Sequence, residues 1–337
     1  MSIVGIHRGM CMSEPLVSII IPVFNGSNYL ANAIDSALGQ TYPHCEVIVV
    51  NDGSNDEGAT ESIARSYGDR IRYHYKENGG VASAMNLGIR LMHGDYFSWL
   101  SHDDYYHPDK ILHQLAYIPP QRPDTVVYSD YEYLDTITGQ RLPFRLEERF
   151  TAQQLSTPLF PVMFRLVHGS ATLIHHSLFD KVGMFDEAQL TTQDYDMWLR
   201  VFRYAKVCHC PHCDMTSRLH PQAGNQTDPH FIANASDFWI RADRLLTDNE
   251  RTQLCGSPHL YYRQMYATLV NSKYEKAKWY FAEQAKKTET KKNVQERFEP
   301  ICLPEWRFST RVKRAVLRYG ILGTVGKVKE RLFSQIH

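Results

Sequence analysis

The chain has 337 residues, 43% of them apolar and 22% charged, and its 37 basic residues offset 37 acidic ones for a formal net charge of zero. That is an ordinary globular composition, which excludes a collagen, a disulfide-stapled mini-protein and a disordered tail. Balanced charge also excludes the broad basic face of a protein built to hold nucleic acid, and no apolar run approaches the roughly 18 residues of a bilayer span. Residues 1–14 carry only scattered apolar side chains, so a flexible N-terminus without a secretory leader is expected. Seven cysteines at irregular spacing predict a reducing, cytoplasmic setting.

In chain order, residues 17–24 form a β-branched run too short for a helix and too apolar to lie exposed, which predicts a buried parallel strand. Leu30, Ile34 and Leu38 then recur one helical turn apart, with Asn28 placed to cap them. A second strand is expected over 46–50, ending at Asn51-Asp52-Gly53-Ser54, and helical spacing returns through Ile63 and Tyr67. A third strand over 71–75 leads to Asn78-Gly79-Gly80 and a helix with Ala84, Leu87 and Leu91 on one face. A fourth, 96–100, runs into Ser101-His102-Asp103-Asp104. Such alternation predicts a parallel α/β sheet. Beyond about residue 120 it weakens, leaving strands near 125–133, 171–174 and 206–215, and a helix opening at 191–196. From about Ser236 the pattern is mainly helical.

Ligands of parallel sheets sit at the carboxyl ends of the strands, where Asn25, Asp52, the 78–80 cluster and the 101–104 cluster all fall. Adjacent aspartates at a sheet edge suit a divalent cation, a carboxylate after the second strand suits a ribose or base, and a Gly-Gly helix start suits a diphosphate. Singly, each is also turn chemistry. The chain lacks a Gly-x-x-x-x-Gly-Lys-Ser/Thr loop and a Gly-x-Gly-x-x-Gly after the first strand, which counts against an ATPase and a dehydrogenase.

Taken in order, these segments, with Phe185-Asp186, Thr192-Gln193-Asp194-Tyr195-Asp196-Met197-Trp198-Leu199-Arg200 and Arg218-Leu219-His220, resemble the family 2 glycosyltransferases over about residues 15–225. The resemblance implies an α/β GT-A fold, Rossmann-like, its mainly parallel sheet flanked by helices, with a helical C-terminal extension. Residues 15–120 would be the nucleotide-sugar half, 121–235 the acceptor half and 236–337 the helical region. It implies inverting transfer from a nucleotide-sugar donor, a UDP-sugar, to a saccharide or polyprenyl-linked glycan. Asp52 would hold the uracil or ribose, Pro22, Phe24 and Asn25 would line the base pocket, and Asn78, Gly80 and Asn86 would lie along the diphosphate or donor sugar. Asp103 resembles the metal-binding carboxylate of the Asp-x-Asp signature, with Ser101 and His102 in place of its first two residues and beside the nucleotide. His220 resembles a histidine near the metal, which would be Mn²⁺ or Mg²⁺. Asp194 resembles the catalytic base of a Glu-Asp motif whose first acid is here Gln193. These two departures leave open a catalytically inactive sugar-nucleotide-binding protein. A nucleotidyltransferase would need a basic glycine-rich loop that Asn25-Gly26-Ser27 does not supply.

Two features stand apart. Cys208-His209-Cys210-Pro211-His212-Cys213 contains zinc-ligand chemistry, but its spacing is too tight for separated ligand pairs, so buried cysteines on a strand are expected. Residues 306–331 are basic with apolar residues at helical intervals, a pattern suited to peripheral contact with an anionic membrane or to packing on the catalytic domain. The first of these would put the enzyme at the cytoplasmic membrane face.

Overall fold

The computed structural model describes residues 14–290 except 120, 121, 123, 222–230 and 271. The N-terminal segment expected to be flexible, apart from Glu14, and the basic segment 306–331 lie outside the described residues. The apolar run after Leu16 becomes β1 (Val17–Val23), buried along its whole length. With β2 (Cys45–Asp52), β3 (Arg72–Lys76) and β4 (Tyr96–Trp99) it forms a parallel set, linked by α1 (Leu30–Leu38), α2 (Ala59–Ser66) and α3 (Val81–Leu91). α3 lies tight against β1, because a Cβ on Gly88 would stand 2.4 Å from Ile20 Cγ2. The N-cap of α1 is Tyr29 rather than Asn28. Its first turn is set by the Gly26 carbonyl, which accepts from the N–H groups of Tyr29 and Leu30 at 3.1 and 3.0 Å.

After β4 come β5 (Tyr105–Tyr106), α4 (Lys110–Ala116), β6 (Thr125–Ser129), β7 (Tyr131–Asp135), β8 (Arg141–Phe144), α5 (Ala152–Ser156), α6 (Phe160–Met163), β9 (Thr172–His175), α7 (Ser177–Val182), α8 (Gln193–Tyr204), β10 (Lys206–Cys210) and β11 (Met215–Leu219). The main sheet runs β10-β6-β9-β4-β1-β2-β3, with β9 antiparallel to both neighbours. A smaller sheet, β5-β11-β7-β8, was not apparent from periodicity, because a period marks a strand and not the distant strand it pairs with. The stretches 125–133 and 206–215, each expected as one strand, are divided between the two sheets. Asp130 makes the corner: its N–H donates to the Cys210 carbonyl at 3.2 Å. Its Oδ1 accepts from the Leu146 N–H at 3.1 Å and lies 2.7 Å from His209 Nε2. A buried carboxylate held by two other chain segments makes the crossing specific.

The C-terminal region is helical as expected over α9 (Phe231–Leu245), α10 (Asp248–Cys255), α11 (Pro258–Leu269) and α12 (Glu275–Lys287). Ala242, Tyr261, Met265 and Phe281 are fully buried in it. Asp243 joins three of these helices, taking Arg251 Nε at 3.0 Å and the Tyr280 hydroxyl at 2.6 Å. No helix among the described residues is long and apolar enough to cross a membrane.

Candidate active site

The ends of β1 and β2 carry the first group of candidate residues. Pro22 is buried within β1, and Phe24, just beyond it, leaves its ring 44% exposed. Asn25 takes a left-handed φ of 49°, which lets its side chain exchange hydrogen bonds with Asn55, at 2.7 Å to Oδ1 and 2.8 Å from the N–H. Asp52 is buried at the end of β2. Its Oδ1 accepts from Lys76 Nζ at 2.6 Å and from the Gly79 N–H at 3.0 Å, and its Oδ2 from the Gly80 N–H at 2.8 Å. Asn78 donates through Nδ2 to the Asp52 carbonyl at 2.8 Å. The glycine N–H groups that the sequence offered to a diphosphate are therefore turned onto Asp52, because the tight turn after β3 folds back over the end of β2. With about four acceptor positions on a carboxylate, Asp52 keeps one for a further donor.

Asn86 lies apart from this group. Its Nδ2 donates to the Phe185 carbonyl at 2.9 Å and to Glu187 at 2.8 Å, and its Oδ1 accepts the Phe185 N–H at 2.9 Å. Both amide hydrogens are spent on tying α3 to the segment before α8, which leaves neither for the donor-sugar contact expected of this residue.

The loop after β4 and the end of β11 form the second group. His220 Nε2 lies 3.0 Å from Asp103 Oδ2, and Arg218 fastens the two segments, Nη1 donating to the Asp103 carbonyl at 2.6 Å and its N–H to Asp104 Oδ1 at 3.1 Å. The Arg218 guanidinium is sandwiched between Tyr29 and Tyr105, 4.8 and 4.6 Å from the ring centroids. Burial works against ionisation of Asp103, but the His220 hydrogen bond and the nearby charges of His102 and His220 hold its carboxyl below the ordinary range. Asp104 goes the other way, raised well above that range by burial and by the charge of Asp103. Ser170 links it to Ser101, donating to Asp104 Oδ2 at 3.1 Å and accepting the Ser101 N–H at 3.2 Å. His102, lowered by burial, packs over Gly26, where a Cβ would meet its ring at 2.4 Å. Asp103 and His220 fit a divalent cation: about 2.1 Å bonds at right angles separate neighbouring ligands by about 3 Å. The buried His220 Nδ1 has no hydrogen-bond partner among the described residues.

The third group is at the head of α8. Asp196 pairs with Arg200 at 2.9 Å, whereas Asp194, half-buried, takes the Tyr195 N–H at 2.8 Å and has no ion pair among the described residues. Burial without a cationic partner pushes the Asp194 carboxyl up to about 6. Gln193 is buried beside it, its Oε1 without a partner among the described residues. Trp198 and Leu199, further along the helix, are core residues.

Two neighbouring residues were missed in the sequence. His168 stands 3.9 Å from Asp104 Oδ2 and is lowered by burial to about 4, and Arg165 lies three residues before it. The available signal was Arg165 interrupting the apolar run 159–167 and His168 directly after it. The 208–213 segment brings no cysteine into a cluster of three or more metal-ligand side chains. Among the described residues, the one such set consists of His113, His212 and Asp214.

Residues 18–183 match glycosyl transferase family 2. The chain is 43% identical over 265 residues to an uncharacterized glycosyltransferase of Rickettsia prowazekii, covering 78% of this chain and 83% of that one. The chain belongs to glycosyl transferase family 2. The transferase spans only 44% of the similar Rickettsia conorii protein. It is 32% identical to Pasteurella multocida hyaluronan synthase over 65% of its own length and 22% of the synthase. Its fold is that of S. aureus TarS 1-349 in complex with UDP-GlcNAc, with a TM-score of 0.60 at 16% identity over 80% of this chain and 81% of that one. It is also that of the Pyrobaculum calidifontis mannosyltransferase PcManGT in complex with GDP-Man and Mn²⁺, with a TM-score of 0.57 at 14% identity over 84% and 78%. The GT-A α/β architecture expected from the sequence is thus the one observed.

Proposed function

We propose that the transferase moves a sugar, with inversion, from a UDP-sugar to a hydroxyl of a saccharide or polyprenyl-linked glycan in cell-surface polysaccharide synthesis. Asp194 carries the reading. A sugar hydroxyl is a poor nucleophile at neutral pH and needs a carboxylate to take its proton as it attacks the anomeric carbon. A carboxyl at about 6 with no cationic partner is ionised at neutral pH and more basic than an ordinary aspartate. Asp103 and His220 are the residues that would hold Mn²⁺ or Mg²⁺, which when bound supplies positive charge against the departing diphosphate. Asp52, through its remaining acceptor position, would take a donor group of the base or ribose, with the exposed ring of Phe24 beside it.

The choice of UDP is supported by the likeness to TarS with UDP-GlcNAc, and the polysaccharide role by the likeness to hyaluronan synthase. A lipid-linked acceptor would bring the enzyme to the cytoplasmic membrane face, with the 306–331 segment as its contact. The test is nucleotide release from a panel of UDP-, GDP- and dTDP-sugars with Mn²⁺, Mg²⁺ or chelator, in wild type, Asp103→Asn and Asp194→Asn. Metal-dependent release from one donor, lost in both variants, is expected. Donor binding without turnover under any metal, even with a mixed glycan acceptor, would make the chain a sugar-nucleotide-binding protein.

A further inference from the structure

Arg165, between α6 and β9, has a backbone φ of 60°. A left-handed backbone is uncommon outside glycine, and such conformations gather where the surrounding fold holds a residue for a task. Elsewhere the fold satisfies its partly buried arginines. Arg200, Arg203 and Arg251 each take a carboxylate, and Arg218 takes the Asp103 carbonyl. Arg165 is half-buried, yet its guanidinium has neither an ion pair nor a hydrogen-bond acceptor among the described residues and stands over the face of Tyr274, 5.3 Å from the ring centroid. Tyr195, Tyr133 and Tyr131 complete its surroundings. None of its nitrogens is among the sealed, unpartnered polar atoms of the core, so the guanidinium keeps some exposure to solvent. A desolvated cation without a counter-ion is costly, and a guanidinium is shaped to recover that cost from a carboxylate or phosphate through two parallel hydrogen bonds.

The position of Arg165 selects the source of that anion. The hydroxyl of Tyr195 lies within electrostatic reach of both Arg165 and Asp194. On the other side, Tyr131 and Tyr133 stand 5.0 and 6.5 Å from the His168 ring, beside Asp104. Arg165 therefore belongs with β7, β9 and the head of α8, whereas Asp52 and Asn25 lie at the ends of β1 and β2. We propose that Arg165 is the subsite for an anionic group, a carboxylate or phosphate, carried by the acceptor saccharide next to the hydroxyl that Asp194 deprotonates. The proposal rests on Asp194 being the base. It makes the acceptor an acidic sugar or sugar phosphate, held by the guanidinium between tyrosine rings.

The test is ligand-observed NMR binding of methyl β-glucuronide, glucose 6-phosphate and methyl β-glucoside to wild type, Arg165→Gly and Arg165→Lys, together with their acceptor KM in nucleotide release. Glycine suits the left-handed backbone, so Arg165→Gly should melt no lower than wild type. Wild type is expected to bind at least one anionic probe about tenfold more tightly than the neutral glucoside, the effect of one or two charge-assisted hydrogen bonds. That preference should vanish in Arg165→Gly and survive in part in Arg165→Lys. Equal binding of charged and neutral probes by wild type, or a preference that persists in Arg165→Gly, would overturn the subsite. So would a clearly lower melting temperature for Arg165→Gly, which would make Arg165 a structural cation. A preference confined to the donor, UDP-glucuronate over UDP-glucose, and lost in Arg165→Gly would move the anion to the donor and overturn the acceptor assignment. Because the NMR arm needs no turnover, absent nucleotide release would count against the transferase reading and leave the binding result to be judged separately.

Discussion

Asp103 and His220 stand 117 positions apart in the chain and 3.0 Å apart in the fold. Asp103 lies in the loop between β4 and β5 and His220 just beyond β11, and Arg218 locks the two segments together through the Asp103 carbonyl and the Asp104 carboxyl group. The contact thus joins the half of the chain that ends β4 to the half that ends β11.

That contact predicts a metal requirement shared by two residues. His220→Gln should raise the Mn²⁺ concentration for half-maximal nucleotide release by about tenfold or more, with Asp103→Asn at least as severe. Metal titrations at saturating donor measure both. Full wild-type turnover in excess chelator would remove the assignment.

Asp194 predicts a pH profile. Its carboxyl is raised to about 6, so kcat/KM should climb through about pH 6 and level off above it, while Asp194→Asn should lose about 10²–10⁴-fold in rate. The same shift acts on stability with the opposite sense. Between the unfolded value near 4 and the folded value near 6, the native state binds the extra proton, so this group's contribution to stability falls as pH rises through that window and stays low above it. Asp194→Asn should therefore melt higher than wild type at pH 8, by up to about 3 kcal/mol in unfolding free energy, and this advantage should shrink toward pH 4. Thermal melts at the two pH values decide it.

Asp52 predicts a structural cost alongside a binding one. Its carboxylate takes Lys76 and the N–H groups of Gly79 and Gly80, so Asp52→Ala would leave a partly buried ammonium and two amides without their acceptor. The expected loss is about 2–4 kcal/mol in urea unfolding, with weaker binding of UDP by the folded remainder. A variant as stable as wild type would show that the turn after β3 does not depend on this carboxylate.

The strand-helix alternation of residues 17–100 was legible because strands and helical periods follow one another in chain order and β1, β2 and β3 are neighbours in the sheet as they are in sequence, and β1, buried on both faces, appears as an apolar run interrupted only by Ser18. The smaller sheet was not legible, since its pairing depends on partners up to 111 positions away, Thr216 with Tyr105. Asn86 shows the limit for single residues. Its place in a family motif suggested a ligand contact, while its hydrogen bonds to Phe185 and Glu187 give it a clamp between α3 and the segment before α8.

By itself the sequence determined the order of elements, the family and the positions of Asp52, Asp103 and Asp194 at element ends, all of which follow from local periodicity and motif spacing. Only the tertiary structure decided what surrounds each group. It turned the Gly79 and Gly80 N–H groups onto Asp52 and left Asp194 without a cationic partner among the described residues. It also gave Asp103 its histidine and set Arg165 among tyrosines, with no anionic partner among the described residues. Charge state and hydrogen-bond satisfaction depend on burial and on groups brought together from distant parts of the chain, and neither is a property of sequence neighbours.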